Sequence, residues 1–201
     1  MNKTIYIEGG GDSNELHILC RKGFRKLLEN CGFKDYMPRL VSCGGRESAF
    51  NHFQTAHANK SNSDYVAMLI DSEDTLTDLD ASWSHLKLRD GWDKPPGSEN
   101  DQVLFMTTCM ESWIVADRDA LANHYGSDLQ ISALPPLINL ESRSRQEIQN
   151  DLIQATRNSS KAYKKGKRSF IVLEKLSPNT LESNLPSFAR VKRILEDKLL
   201  R

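Results

Sequence analysis

The chain has 201 residues, with 27 basic and 27 acidic side chains, a formal net charge of zero and 38% hydrophobic residues. That length buries a sizeable core without disulfide staples, and the even charge argues against a free-standing, strongly basic nucleic-acid binder. No apolar run reaches the ~20 residues that span a bilayer, and the first residues lack the basic–apolar–cleavage pattern of a signal peptide, so a soluble cytoplasmic protein is expected. Cys20, Cys31, Cys43 and Cys109 have no CxxC spacing and read as small buried hydrophobes in a reducing compartment.

Residues 3–8 predict a first strand, closed by Gly9-Gly10-Gly11, with Asp12 or Ser13 to cap the helix that follows. In that helix Leu16, Leu19, Cys20, Phe24, Leu27, Leu28 and Cys31 fall at helical spacing, and Gly32 is the stop. Residues 39–43 predict a second strand ending at Gly44-Gly45, and a second helix runs from about Arg46 to Asn59. The run 65–70 is apolar throughout, as a central parallel strand should be. Residues 75–101 are polar and turn-rich and predict a surface excursion with a short helix at 81–88. A fourth strand at 103–107 precedes a helix opening at Met110, and residues 118–126 continue that helix or begin another. Residues 127–144, with Pro135-Pro136, read as a loop, 145–157 as a helix, and 169–174 as either helix or strand. Pro186 begins a final amphipathic helix, a C-terminal extension of a single unit spanning 1–201. Strands alternating with helices predict an α/β fold with a mainly parallel sheet.

Two of these strands end in acid. Ile5-Tyr6-Ile7 runs into Glu8 and the glycines; Met68-Leu69-Ile70 runs into Asp71-Ser72-Glu73-Asp74. Sites in α/β sheets form at the carboxyl ends of strands. Carboxylates gathered there repel and resist desolvation, and Mg²⁺ or Mn²⁺, which favours oxygen ligands, relieves both. Glu8 reads as a metal ligand or general base, or as a solvated carboxylate at a glycine turn. Asp71 and Glu73 stand two apart, so an extended backbone aims both the same way; acids decorating a helix N-terminus are the alternative. Together the three point to a divalent metal site and to chemistry on a phosphodiester. Glu111 is either an acid favoured by a helix dipole or a ligand to a second cation. Arg46, after Gly44-Gly45, either touches a phosphate, where it or Lys165 would steady the developing charge, or is ion-paired. The basic run Lys161–Arg168, with Lys164, Lys165 and Lys167, either grips a phosphate backbone or is a solvated loop, and Lys165 beside Gly166 is the choice for a transition-state charge stabiliser. Trp92 and Trp113 read as packing residues, and the five histidines form no metal pattern.

Ile7-Glu8-Gly9-Gly10-Gly11-Asp12 followed by Leu69-Ile70-Asp71-Ser72-Glu73 resembles the Toprim fold of topoisomerases, primases and the overcoming-lysogenization-defect (OLD) nucleases. With Gly44-Gly45-Arg46, Asp90-Gly91-Trp92, Met110-Glu111-Ser112-Trp113, Asp117 and Tyr163-Lys164-Lys165-Gly166, the chain is similar to a bacterial Toprim-like family of unknown function, related to RloB-type proteins and often found beside ATPase genes in defence loci. The resemblance implies a three-layer α/β/α domain and Mg²⁺-dependent cleavage of nucleic acid, with Glu8 as general acid/base and Asp71 and Glu73 as metal ligands. Glu73 stands where the family pattern has a second aspartate, which moves the metal. The resemblance also implies an ABC- or SMC-like ATPase partner in anti-phage defence. The alternatives are a catalytically inert Toprim-like subunit that regulates an ATPase, or a metal-dependent nucleotide phosphohydrolase.

Overall fold

Strand alternation makes the layers. The computed structural model describes residues 2–200; Met1 and Arg201 of the expected unit lie outside them. β1 (Lys3–Ile7), β2 (Arg39–Ser42), β3 (Tyr65–Asp71) and β4 (Val103–Met106) form one sheet in the order β2-β1-β3-β4, and every pairing is parallel. Residues two apart share a face. Tyr65, Ala67 and Leu69 therefore join Ile5, Ile7, Leu104 and Met106 in one core, while Val66, Met68 and Ile70 join Val103 and Phe105 in a second. A strand buried on both sides has to be apolar throughout, and β3 is.

The first core is closed by α1 (Asn14–Leu28), α4 (Met110–Ala116), α7 (Lys167–Leu173) and α9 (Pro186–Leu199). Its centre is Trp113 of α4, which meets Phe24 of α1 and Phe188 of α9 edge-on at 6.5 and 4.9 Å between ring centroids. The second core is closed by α2 (Arg46–Asn59) and α3 (Ser82–Asp90) through Phe50, Phe53, Trp83 and Leu86. The architecture is three-layer α/β/α.

Local chemistry sets several boundaries as expected. Ser13 caps α1 by accepting the Leu16 N–H at 3.2 Å, and Gly32 turns the chain out of the helix at φ 94°. Two readings are refined, and two alternatives are resolved. The segment 75–101 is more than a surface excursion, because Trp83 and Leu86 of α3 are buried against the sheet. α4 stops at Ala116 and α5 (Arg118–Tyr125) starts anew, since Asp117 leaves helical geometry and caps α5 through the Ala120 N–H. The loop 127–144 holds three short 3₁₀ turns that bury Leu129, Leu134 and Leu140. Residues 169–174 are helical: α7 packs on α1 at Gly23, where an added Cβ would stand 2.8 Å from the Phe170 carbonyl oxygen. α6 (Arg145–Thr156) matches its expected start, and α8 (Pro178–Asn184), capped by Ser177, precedes α9. All four cysteines are free, Cys20 and Cys109 fully buried. No helix of the described residues is long and apolar enough to cross a membrane.

Candidate metal centre

The strand order reverses between β1 and β3. The chain leaves β1 toward β2 on one side, then crosses back to β3 on the other. In open parallel sheets that reversal opens a crevice at the carboxyl ends of the two strands. Glu8 follows β1 and Asp71 ends β3, so the sequence places its acids at this point. The Glu8 N–H still donates to Leu69 O at 2.9 Å, and the Asp71 N–H donates to Glu8 Oε2 at 3.0 Å. The sheet ladder itself delivers the first carboxylate to the second.

Glu73 arrives differently from the expected extended alternation. Its φ is +68°, a conformation that non-glycine residues rarely adopt. Ser72 N–H and Glu73 N–H donate to Met106 O and Thr108 O, which hold the turn against the end of β4. No helix starts there; the next one begins at Ser82. One carboxylate oxygen from each of Glu8, Asp71 and Glu73 lies within 4.8 Å of the other two. The donor set is entirely carboxylate oxygen, which fits a hard divalent cation.

The electrostatics follow from crowding. Asp71 is buried, and its Oδ1 accepts the Met110 N–H at 2.8 Å. Burial, then Glu8 and Glu111, push its carboxyl well above the usual range, against the pull of Lys165 and Arg145. Burial also raises Glu8, opposed by Arg46 and by the Asp71 N–H. A pocket of about 280 Å³ lies over the pair, lined by the Gly9–Gly11 turn, Gly44, Met110, Lys165 and Gly166. The glycine turn is compact for a steric reason: at Gly10 (φ +97°) a Cβ would meet Ser42 Oγ at 2.3 Å. Ser42 Oγ donates to Gly9 O at 2.6 Å and lies 2.8 Å from His17 Nδ1, which clamps the turn.

The other expected site residues divide. Lys165 lines the pocket and acts electrostatically on Glu8, Asp71 and Glu111. Arg46 is at the site but fully engaged. It grips Asp90 through Nε and Nη2 at 3.2 and 2.8 Å, its Nη1 donates to Asp71 O and lies 3.8 Å from Glu8, and Trp92 covers its face at 5.1 Å. Arg46 is thus the ion-paired arginine, a brace between α2, β3 and α3. Lys167 pairs with Glu15 at 3.0 Å, and Lys164 is exposed. Glu111 falls outside the three-carboxylate cluster: its oxygens accept from Tyr163 Oη and from Gln149 Nε2 at 3.2 Å. Burial pushes the Glu111 carboxyl up, but Tyr163, Lys165 and Gln149 outweigh it and leave the group below its ordinary value.

A family model described as a domain of unknown function (DUF4276) matches residues 7–196. The chain belongs to the DUF4276 family. No curated protein and no solved structure matches it. In this DUF4276 chain the matched span takes in Glu8, Asp71, Glu73 and Lys165 together. Sequence reasoning missed Arg145 and Arg89, whose guanidinium groups both reach Glu73, Arg89 at 3.8 Å. It also missed Asp90 as the anchor of Arg46 and Arg89, and Tyr163 as the partner of Glu111. Arg145 had one signal: it opens a helix whose cap, Ser144-x-x-Glu147, is readable as a capping box.

Proposed function

We propose that this chain is a Mg²⁺- or Mn²⁺-dependent nuclease of the Toprim type, cleaving phosphodiester bonds in nucleic acid. The observation that carries the reading is the convergence of Glu8, Asp71 and Glu73 within 4.8 Å at the strand-order reversal. A glutamate after the first strand and an acidic pair after the third become neighbours because β1 and β3 pair directly. When bound, the cation polarises a phosphate oxygen and lowers the pKa of an attacking water. Glu8 and Asp71 would hold it, with Glu73 as the third ligand. Glu8, at the end of β1 beside the pocket, is the candidate general acid/base, and burial raises its carboxyl above the ordinary value. Lys165 presents an ammonium at the pocket edge, where charge builds on the phosphate. The glycine turn lets a phosphate approach the backbone closely. A chain of zero net charge exerts little pull on a polyanion, which supports a partner that presents the substrate; the Toprim-like resemblance suggests that this partner is an ATPase of the ABC or SMC-like class, in a cytoplasmic anti-phage setting.

A second reading, an inert subunit that regulates such an ATPase, is favoured by the arginines seated against the carboxylates. One assay separates the two. The chain, alone and with the ATPase, is incubated with plasmid, single-stranded DNA and tRNA in Mg²⁺ or Mn²⁺. Cleavage lost in both Glu8→Ala and Asp71→Ala is expected; a folded chain that cuts none of them under any condition sinks the nuclease.

A further inference from the structure

Lys165 and the glycine turn serve the phosphate over the carboxylates, yet a polymer carries phosphates on either side of the one attacked. Most basic groups near the pocket are already engaged. Arg46 is saturated by Asp90 and Asp71 O, Lys167 is paired with Glu15, and Arg168 donates to Ala162 O at 2.5 Å. The segment entering α6 is different. Arg143 makes no ion pair among the described residues, and its buried Nε finds no acceptor. Glu147, the acid on which Arg143 acts electrostatically, is committed to the cap, accepting from Ser144 N and Oγ at 3.0 and 2.8 Å. Two residues on, Arg145 pairs with Glu73 while its side chain stays 28% exposed, and it also acts electrostatically on Asp71. A desolvated guanidinium edge without an acceptor is costly, and an arginine fork matches a phosphate in shape as well as charge.

The segment is also tied to the metal ligands. Thr108 O accepts the Glu73 N–H at 2.9 Å, and Thr108 Oγ1 donates to Arg143 O at 3.2 Å. One residue therefore links the turn that carries Glu73 to the segment that carries both arginines. We propose that Arg143 and Arg145 are the substrate's second phosphate site, gripping the phosphodiester next to the one over the triad, with Arg145 shared between Glu73 and that phosphate. The inference rests on the nuclease reading and adds where the polyanion lies: it runs from the Lys165 side of the pocket across Glu73 to the start of α6. Arg145 has a double effect. It binds the polymer, and it competes with a cation for Glu73.

The test measures binding separately from cleavage. A fluorescein-labelled single-stranded oligonucleotide is titrated with the chain in Ca²⁺ over a salt series, for wild type, Arg143→Ala, Arg145→Ala, Arg145→Lys and the exposed control Arg157→Ala. Mn²⁺ affinity is read by electron paramagnetic resonance without nucleic acid. Each alanine variant at 143 and 145 is expected to bind about 10-fold more weakly and to flatten the salt slope by ~0.7. Arg145→Lys regains part of the loss, and Arg157→Ala changes nothing. Arg145→Ala binds Mn²⁺ more tightly than wild type, a sign that mere unfolding would not produce. Wild-type binding of oligonucleotide and Mn²⁺ that both arginine variants retain unchanged overturns the inference alone. A wild-type chain that binds neither overturns the nuclease reading beneath it.

Discussion

Replacing Asp71 with asparagine separates what the carboxylate does to the fold from what it offers a cation. Asparagine keeps the acceptor that takes the Met110 N–H at 2.8 Å and nearly the same volume. What it removes is a buried negative charge. Like charges separated by the 4.8 Å that bounds this cluster repel by about 3.5 kcal/mol at an effective dielectric constant of ~20. Lys165 and Arg145 offset part of that repulsion, so the metal-free variant should be more stable by ~1–3 kcal/mol at neutral pH. For a chain of this size that is a rise in Tm of roughly 2–12 °C. The pH dependence fixes the sign. Burial, Glu8 and Glu111 hold the folded carboxyl well above its ordinary value, so between the two values the folded state keeps a proton that the unfolded state has lost. Wild-type stability from this group is therefore greatest in acid and falls as pH rises above about 4 toward the raised value. The gap between Asp71→Asn and wild type should be absent in acid and open on the way to neutrality. Thermal unfolding in EDTA from acid to neutral pH measures it, and a parallel series in Mn²⁺ should stabilise only the wild type, by about 2.7 kcal/mol at a hundredfold excess over Kd. A variant less stable than wild type in EDTA at neutral pH, or a gap that ignores pH, would refute the reasoning.

Two further substitutions test the frame around the site. Gly23→Ala should lower Tm, because forcing α7 away from the 2.8 Å approach costs ~1–3 kcal/mol against ~1 kcal/mol of helix propensity gained; an increase in Tm would show that the α1–α7 contact is slack. Tyr163→Phe strips the hydroxyl from Glu111 Oε1 and should cost ~1.5–3 kcal/mol at neutral pH. Because Tyr163 helps hold the Glu111 carboxyl below its ordinary value, that loss should shrink as acid protonates Glu111 in both proteins; equal Tm values at neutral pH would contradict it.

Most of the frame was legible because it rests on local rules. The apolar run at 65–70 could only be a strand covered on both faces, and Glu8 and Asp71 could only stand at strand ends. Pairing of β1 with β3 then made them neighbours. Where tertiary context decided the outcome, the sequence was mute or misleading. Positive φ at Glu73 is imposed by β4, which local spacing cannot reveal. The helix at 167–173 depends on a glycine 147 positions before Phe170, on another element. Trp83 and Leu86 sit in a polar stretch whose average hides two buried side chains. The arginines were the hardest to place: Arg46, beside a glycine pair, looks like an anion ligand until Asp90 saturates it, whereas Arg145 has nothing nearby in sequence to link it to Glu73.

The closure of the first core by α9 bears on how the chain is made. Phe188, Val191, Leu195 and Leu199 are buried there with Trp113 and Ile5, and Lys3 Nζ donates to Leu199 O at 2.8 Å. β1 is thus covered by a helix that is synthesised long after it. Until residue 199 has emerged, the layer that covers β1 and β3 on that side is incomplete, since α9 joins α1, α4 and α7 in closing it. Synthesis itself becomes a delay: Glu8, Asp71 and Glu73 stand apart in water on the growing chain until the sheet that gathers them is fully covered.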